Sequence, residues 1–141
     1  MLVGGQAPAT WLAPPTASNA FLTGARILVV EDEFLLACSL EEELNGFGYN
    51  VIGPVSTLAA AREAVAHETV DAAVLDVNLS GDMVFPFADD LIARRIPIVF
   101  LSGYGLAIIP KRFHSLPRLA KPSDPATLDR ELKRVLALKL D

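Results

Sequence analysis

Residues 27–33 read Ile-Leu-Val-Val-Glu-Asp-Glu, ILVVEDE. Four apolar residues run without interruption into three carboxylates. A half-solvated strand would alternate, whereas a continuous apolar run fits a strand covered on both faces. The acids then stand at the carboxyl end of that strand. Like charges in a row repel one another, and burying them costs more still. Either they mark the first turn of a helix in water, where the helix dipole favours acids, or they are placed to receive a cation.

Outward from this stretch, the chain alternates between strand and helix patterns. After RILVV, residues Leu36, Leu40, Leu44 and Phe47 recur at helical spacing, and Gly46 and Gly48 close the helix. YNVIGPVS reads as a second strand whose proline suits an edge position. Leu58, Ala61 and Val65 mark a second helix with Ser56 or Thr57 as its cap. AAVLDV is a third apolar strand. Pro86 opens a third helix with Phe87, Leu91 and Ile92 inward, and IPIVFLS is a fourth strand. Residues 105–115 carry little pattern and predict no more than a short or loose helix. PRLA is a short fifth strand. Asp124 and Pro125 start a last helix with the stripe Leu128, Leu132, Val135 and Leu136. Five βα units predict an α/β fold, a parallel sheet with helices on both faces and right-handed crossovers.

Composition narrows the function. The chain has 141 residues, enough for one domain, and is 52% hydrophobic. Its net charge of −5 argues against a nucleic-acid-binding surface. Cys38 is the single cysteine, which excludes a disulfide framework and a cysteine-rich zinc site and makes a reducing, cytoplasmic setting the default. No apolar run is long enough to cross a bilayer, so no membrane partner is expected. Residues 1–25 contain no charged side chain, have three prolines and lack the basic start of a signal peptide. They read as a flexible extension, and the folded domain is expected over residues 26–141.

In open sheets of this kind, ligands bind beyond the carboxyl ends of the strands. There the sequence places Glu31 and Asp32, then Asp76 followed by Val77-Asn78, then Ser102-Gly103, and finally Lys121-Pro122. Three acids, a hydroxyl and an ammonium thus converge on one rim. Clustered carboxylates raise one another's pKa unless a cation neutralises them. Mg²⁺ takes oxygen ligands and keeps several waters. An Asp beside it can attack phosphorus and form an acyl phosphate, whose added charge a metal, a lysine and a hydroxyl can bind.

With VVEDE, VLDVNLSG, FLSGYG and AKP in this order and spacing, the chain from Arg26 to about Leu138 resembles the receiver domain of bacterial two-component response regulators. The resemblance implies a doubly wound, flavodoxin-like sheet of strand order 2-1-3-4-5. It implies Asp76 as phosphoacceptor, Asp32 as a direct Mg²⁺ ligand, Glu31 acting mainly through water, and the Asn78 carbonyl completing the ligands. Lys121 would pair with the phosphoryl group, Ser102 would hydrogen-bond to it and move, and the Lys121-Pro122 bond would be cis. FLSGYG is similar to an alphaproteobacterial subgroup, often stand-alone receivers, whose fourth strand ends Phe-Ala-Thr-Gly before a Tyr. Serine at position 102 keeps the hydroxyl. Many receivers carry an aromatic switch residue three positions before the lysine. Here that position is Arg118, which leaves Tyr104 as an alternative moving ring that could also shield the acyl phosphate.

The resemblance further implies a histidine kinase or histidine phosphotransfer protein as phosphoryl donor, a downstream protein as target or onward phosphotransfer, and a monomer or weak dimer. About 113 residues of receiver leave no room for an output domain, since domains rarely fall below about 50 residues. The alternative is a degenerate receiver that binds protein without phosphate. An Asp-nucleophile phosphatase would want a second acid two residues after Asp76, where Asn78 stands. Other residues have plainer readings. Glu33 starts the first helix. Gly103 leaves room for a phosphoryl group. Asn78, Gly81 and Asp82 suit a turn. His67 and His114 belong to the surface, and Cys38 to buried packing.

Overall fold

Alternation along the first strand, β1 (Arg26–Val30), assigns the two layers of the molecule. Leu28 and Val30 belong to one apolar cluster, and Ile27 and Val29 to the other. The computed structural model describes residues 24–140. The expected extension over residues 1–25 therefore lies almost wholly outside the described residues.

The central sheet holds β1, β2 (Asn50–Val55), β3 (Ala72–Asp76), β4 (Ile98–Ser102) and β5 (Arg118–Ala120), in the order β2-β1-β3-β4-β5. Every neighbouring pair is parallel. This is the 2-1-3-4-5 order. The four α-helices among the described residues are α1 (Phe34–Gly46), α2 (Leu58–His67), α3 (Phe85–Ala93) and α4 (Pro125–Leu140). Leu40 and Leu44 of α1 pack with Leu128, Leu132, Val135 and Leu136 of α4 on one face. Ala61 of α2 and Phe87, Ala88 and Leu91 of α3 pack on the other. The chain leaves β1 toward one edge and returns through β3 toward the other. The crevice opened by that reversal lies beyond the carboxyl ends of β1 and β3.

Local chemistry accounts for the element ends. Thr57 accepts from the Ala60 N–H at 3.1 Å and caps α2. Pro86 occupies the first turn of α3, where its missing N–H is harmless. Gly48 takes φ +95° just past α1. Pro54 lies on an edge strand, as expected. Gly53 has φ +93°, and an added Cβ there would come within 2.7 Å of the Val55 nitrogen. It sits where the β1–β2 register shifts between Leu28 and Val30. The Lys121-Pro122 peptide is cis.

One expectation is sharpened and three need correction. Residues 105–115 form no α-helix but two single 3₁₀ turns, Leu106–Ile108 and Lys111–Phe113. Their anchor is Phe113, fully buried, which stacks on Phe85 at 5.7 Å and meets Phe100 edge-on at 5.3 Å. Cys38 is exposed, because the buried stripe of α1 runs through Ala37, Leu40 and Leu44 and leaves it outside. Ile92 is exposed beside a fully buried Leu91 for the same angular reason. Phe47 lies beyond the end of α1, half-exposed, with Lys133 over its ring. Among the described residues, no helix is long and apolar enough to cross a membrane.

Candidate functional site

Three charged residues of the site, Glu31, Asp76 and Lys121, are fixed by backbone hydrogen bonds that carry the sheet to or past the last strand residue. Glu31 N–H donates to the Val55 carbonyl at 2.9 Å, just beyond β1. Asp76 ends β3, and the next N–H, of Val77, donates to the Leu101 carbonyl at 3.0 Å. Lys121 N–H donates to the Ser102 carbonyl at 2.9 Å, just beyond β5. The ladders thereby aim Glu31, Asp76 and Lys121 at one point. Asp32 follows where the chain turns toward α1.

Glu31 and Asp76 are buried, and Asp32 is partly buried. One carboxylate oxygen from each lies within 4.8 Å of the others. Lys121 Nζ stands 2.9 Å from Glu31 Oε1 and 3.3 Å from Asp76 Oδ1. The contact with Glu31 Oε1 is a charge pair without hydrogen-bond alignment. The other oxygen, Glu31 Oε2, accepts from the Glu33 N–H at 3.0 Å. Glu33 itself heads α1 without a side-chain cap, as expected for a helix-starting residue, and also lines the cleft.

One lysine does not balance three acids. Burial first, and the Glu31 charge second, push the Asp76 carboxyl up to about 7, against the opposing pull of Lys121. Asp32 moves the other way, chiefly because the Ser80 hydroxyl donates to its Oδ2 at 2.6 Å. Burial alone would lower the Lys121 pKa, but the Glu31 and Asp76 carboxylates outweigh it and the net shift is upward. The cluster thus carries an excess negative charge that a proton on Asp76 relieves near neutrality. A hard divalent cation with oxygen ligands relieves it better, so the donor set fits Mg²⁺.

An open cleft of about 580 Å³ above these groups is lined by Asp32, Glu33, Asp76, Asn78, Ser80, Gly81, Tyr104 and Lys121. Asn78 Oδ1 accepts from the Gly81 N–H at 2.7 Å and shapes the tight ribbon Asn78–Leu79/Asp82–Met83. Ser102 is buried but turned into its own loop. Its hydroxyl donates to the Gly105 carbonyl at 2.7 Å and accepts from the Tyr104 N–H at 3.2 Å. Tyr104 is 73% exposed. A Cβ added at Gly103 would meet only the Lys121 side chain, at the ordinary distance of 3.9 Å. Arg118 opens β5, half-buried, and pairs with Phe100 outside the cleft lining.

Two features of the site escape sequence reasoning. Ser80, at φ 54°, reaches Asp32 across 48 positions of chain. Nothing in NLSG beyond its turn composition points to that contact. The Gly105 carbonyl as partner of Ser102 is equally invisible, since only the loop's path brings them together.

No protein-family model matches the chain. It is 38% identical to SdrG from Sphingomonas melonis Fr1, with a TM-score of 0.71 over 80% of this chain and 96% of that one. A second SdrG structure, of the BeF₃-activated conformation, gives a TM-score of 0.68 at 38% identity, covering 79% of this chain and 95% of that one. The signal receiver domain of a modulated diguanylate cyclase from Desulfovibrio desulfuricans G20 is 28% identical, with a TM-score of 0.72, covering 82% of this chain and 95% of that one. The phyllosphere-induced regulator PhyR of Methylorubrum extorquens is 30% identical over 119 residues, 78% of this chain. The match spans only 43% of PhyR's own length. With this sheet order, an acid cluster at its switch point and these relatives, the chain belongs to the receiver-domain family of response regulators.

Proposed function

We propose that the protein is a phosphorylation-controlled switch in which Asp76 accepts a phosphoryl group from a histidine kinase or histidine phosphotransfer protein. The observation that carries this reading is the position of Asp76: buried at the end of β3, facing an open cleft, 3.3 Å from Lys121 and beside two further carboxylates. Asp32, Asp76 and the Asn78 carbonyl would hold Mg²⁺ directly. Glu31 already faces Lys121 and the Glu33 N–H, so its part toward the cation runs through water. When bound, Mg²⁺ supplies positive charge against the carboxylates and the incoming phosphoryl oxygens.

In the transfer, an ionised Asp76 oxygen attacks phosphorus, the P–N bond to the donor imidazole breaks, and the imidazole leaves with that electron pair. Lys121 then pairs with the new phosphoryl oxygens. Ser102 can donate to them only by releasing the Gly105 carbonyl, which loosens the turn that carries Tyr104. Tyr104, which lines the cleft, would then fold over the acyl phosphate and slow its hydrolysis. Arg118 belongs to the surface around the 3₁₀ turns, β5 and α4 that reads out the change. The output is altered affinity for a downstream protein, in a cytoplasmic setting.

A pull-down comparing wild type with Asp76→Ala, each with and without beryllofluoride and Mg²⁺, tests the switch. The expected result is a partner set that changes only in the beryllofluoride-treated wild type. Equal sets in every condition would instead favour a receiver that binds protein without phosphate.

A further inference from the structure

The pole of the sheet away from the acid cluster carries an apolar groove of about 540 Å³. It is lined by Ile92, Ile96, Pro97, Leu116, Val135 and Leu138, with Arg95 as its one charged residue. Ile92 and Leu138 are 44% and 61% exposed, at the carboxyl ends of α3 and α4. Large exposed aliphatics around one groove mark a surface that gains by being covered. We propose that it is covered by the chain's own residues 1–23, with Trp11 and Leu12 seated between Ile92 and Leu138.

Three observations point to this occupant. The first is charge. All twelve basic and seventeen acidic residues of the protein fall after position 25, so residues 1–23 meet no desolvation penalty for charge when laid in an apolar groove. Their aromatic–leucine pairs, Trp11-Leu12 and Phe21-Leu22, gain by leaving water.

The second is position. The segment joins the domain at Gly24, just before the amino end of β1, where Gly24 N–H donates to the Gly48 carbonyl at 2.7 Å. The groove lies at the amino ends of β4 and β5, since Ile96-Pro97 precede β4 and Leu116 precedes β5. Segment origin and groove therefore share one pole. The exposed pair Phe34 and Leu35 lies at the other, at the start of α1.

The third is reach. β1 and β4 are two strand spacings apart, about 10 Å. Thirteen residue steps lead from Trp11 to Gly24 and can span up to about 43 Å when extended. Arg95 at the rim can donate to carbonyls of an extended segment.

Trp11 is the only tryptophan, so its fluorescence reports on the segment alone. In the full chain the expected emission is blue-shifted, weakly quenched by acrylamide and independent of protein concentration. Leu138→Asp and Ile92→Asp, both at exposed positions that leave the core intact, should each shift it to the red. Leu35→Asp, at the opposite pole, should not. Circular dichroism checks that each variant is folded. A solvent-exposed emission in the wild type overturns the proposal. So does a blue shift that survives both groove variants, one lost on Leu35→Asp, or one that appears only as concentration rises, which would make a second copy the occupant.

Discussion

The two sides of the cleft are built differently. On the β1/β3 side, Glu31 and Asp76 are held by sheet hydrogen bonds and buried among apolar residues. On the β4–β5 side, the Ser102 backbone ends a ladder, but its hydroxyl and the Tyr104 N–H are held by bonds within a single turn, and the following segment makes only two 3₁₀ turns. The first side is rigid because moving an acid would break a ladder. The Ser102 hydroxyl and the Tyr104 N–H make only local bonds, the kind that open at the lowest free energy. A receiver needs both: a fixed place for charge to arrive, and a neighbour free to respond. What ties the segment after Tyr104 to the core is chiefly the fully buried pair Ile109 and Phe113, the latter between Phe85 and Phe100.

The largest effect should come from removing that tie. Phe113→Ala deletes a fully buried aromatic and is expected to lower stability by about 3–5 kcal/mol, read by urea unfolding. Loss below about 1 kcal/mol would mean that the segment is not anchored there. Next comes the rigid side. The folded-state pKa of Asp76 is raised from 3.8 to about 7, so ionising it opposes folding. Below about pH 4 the group is protonated in both states. As pH rises toward 7 the unfolded chain ionises first, and stability falls until the folded group has also titrated. Without Mg²⁺, Asp76→Asn should therefore gain on wild type between about pH 4 and about pH 7, by on the order of a few kcal/mol. A constant difference across that range would remove the argument that crowding strains Asp76.

Smaller changes should sharpen the contrast. Arg112 pairs with Asp89 on α3 through two hydrogen bonds, at 3.2 and 3.0 Å, and lies over the Phe113 ring, but both partners are about half exposed. Arg112→Ala should cost under about 1 kcal/mol. Tyr104→Ala should change stability least, within about 0.5 kcal/mol. Its consequence should appear instead as faster loss of the phosphoryl group, followed by timed mass spectrometry. An unchanged rate would remove Tyr104 from the shielding role.

The same contrast governs how much could be read from the chain. ILVVEDE and AAVLDV announce buried strands that end in acids, because an apolar run and an abrupt charge are properties of adjacent residues. The strand order and the convergence of Glu31, Asp32, Asp76 and Lys121 follow from that pattern together with the family likeness. Residues 105–115 carry no period, so the chain announces no more than short or loose helix there, and not the position of the two 3₁₀ turns. Cys38 and Ile92 lie on the water side of their helices, since one residue of drift around a helix turns a side chain by about 100°, from core to water. The Ser80–Asp32 and Ser102–Gly105 contacts depend on loop paths that no local pattern encodes.

The central claim is that crowded acids at the end of β1 prepare Asp76 to be phosphorylated. Intact-mass measurement after incubation with acetyl phosphate and Mg²⁺ tests it most directly. Wild type and Glu33→Ala should each gain one phosphoryl group, while Asp76→Asn, Asp32→Ala and wild type in EDTA should gain none. An unmodified wild type, or equal modification of Asp76→Asn, would contradict the account.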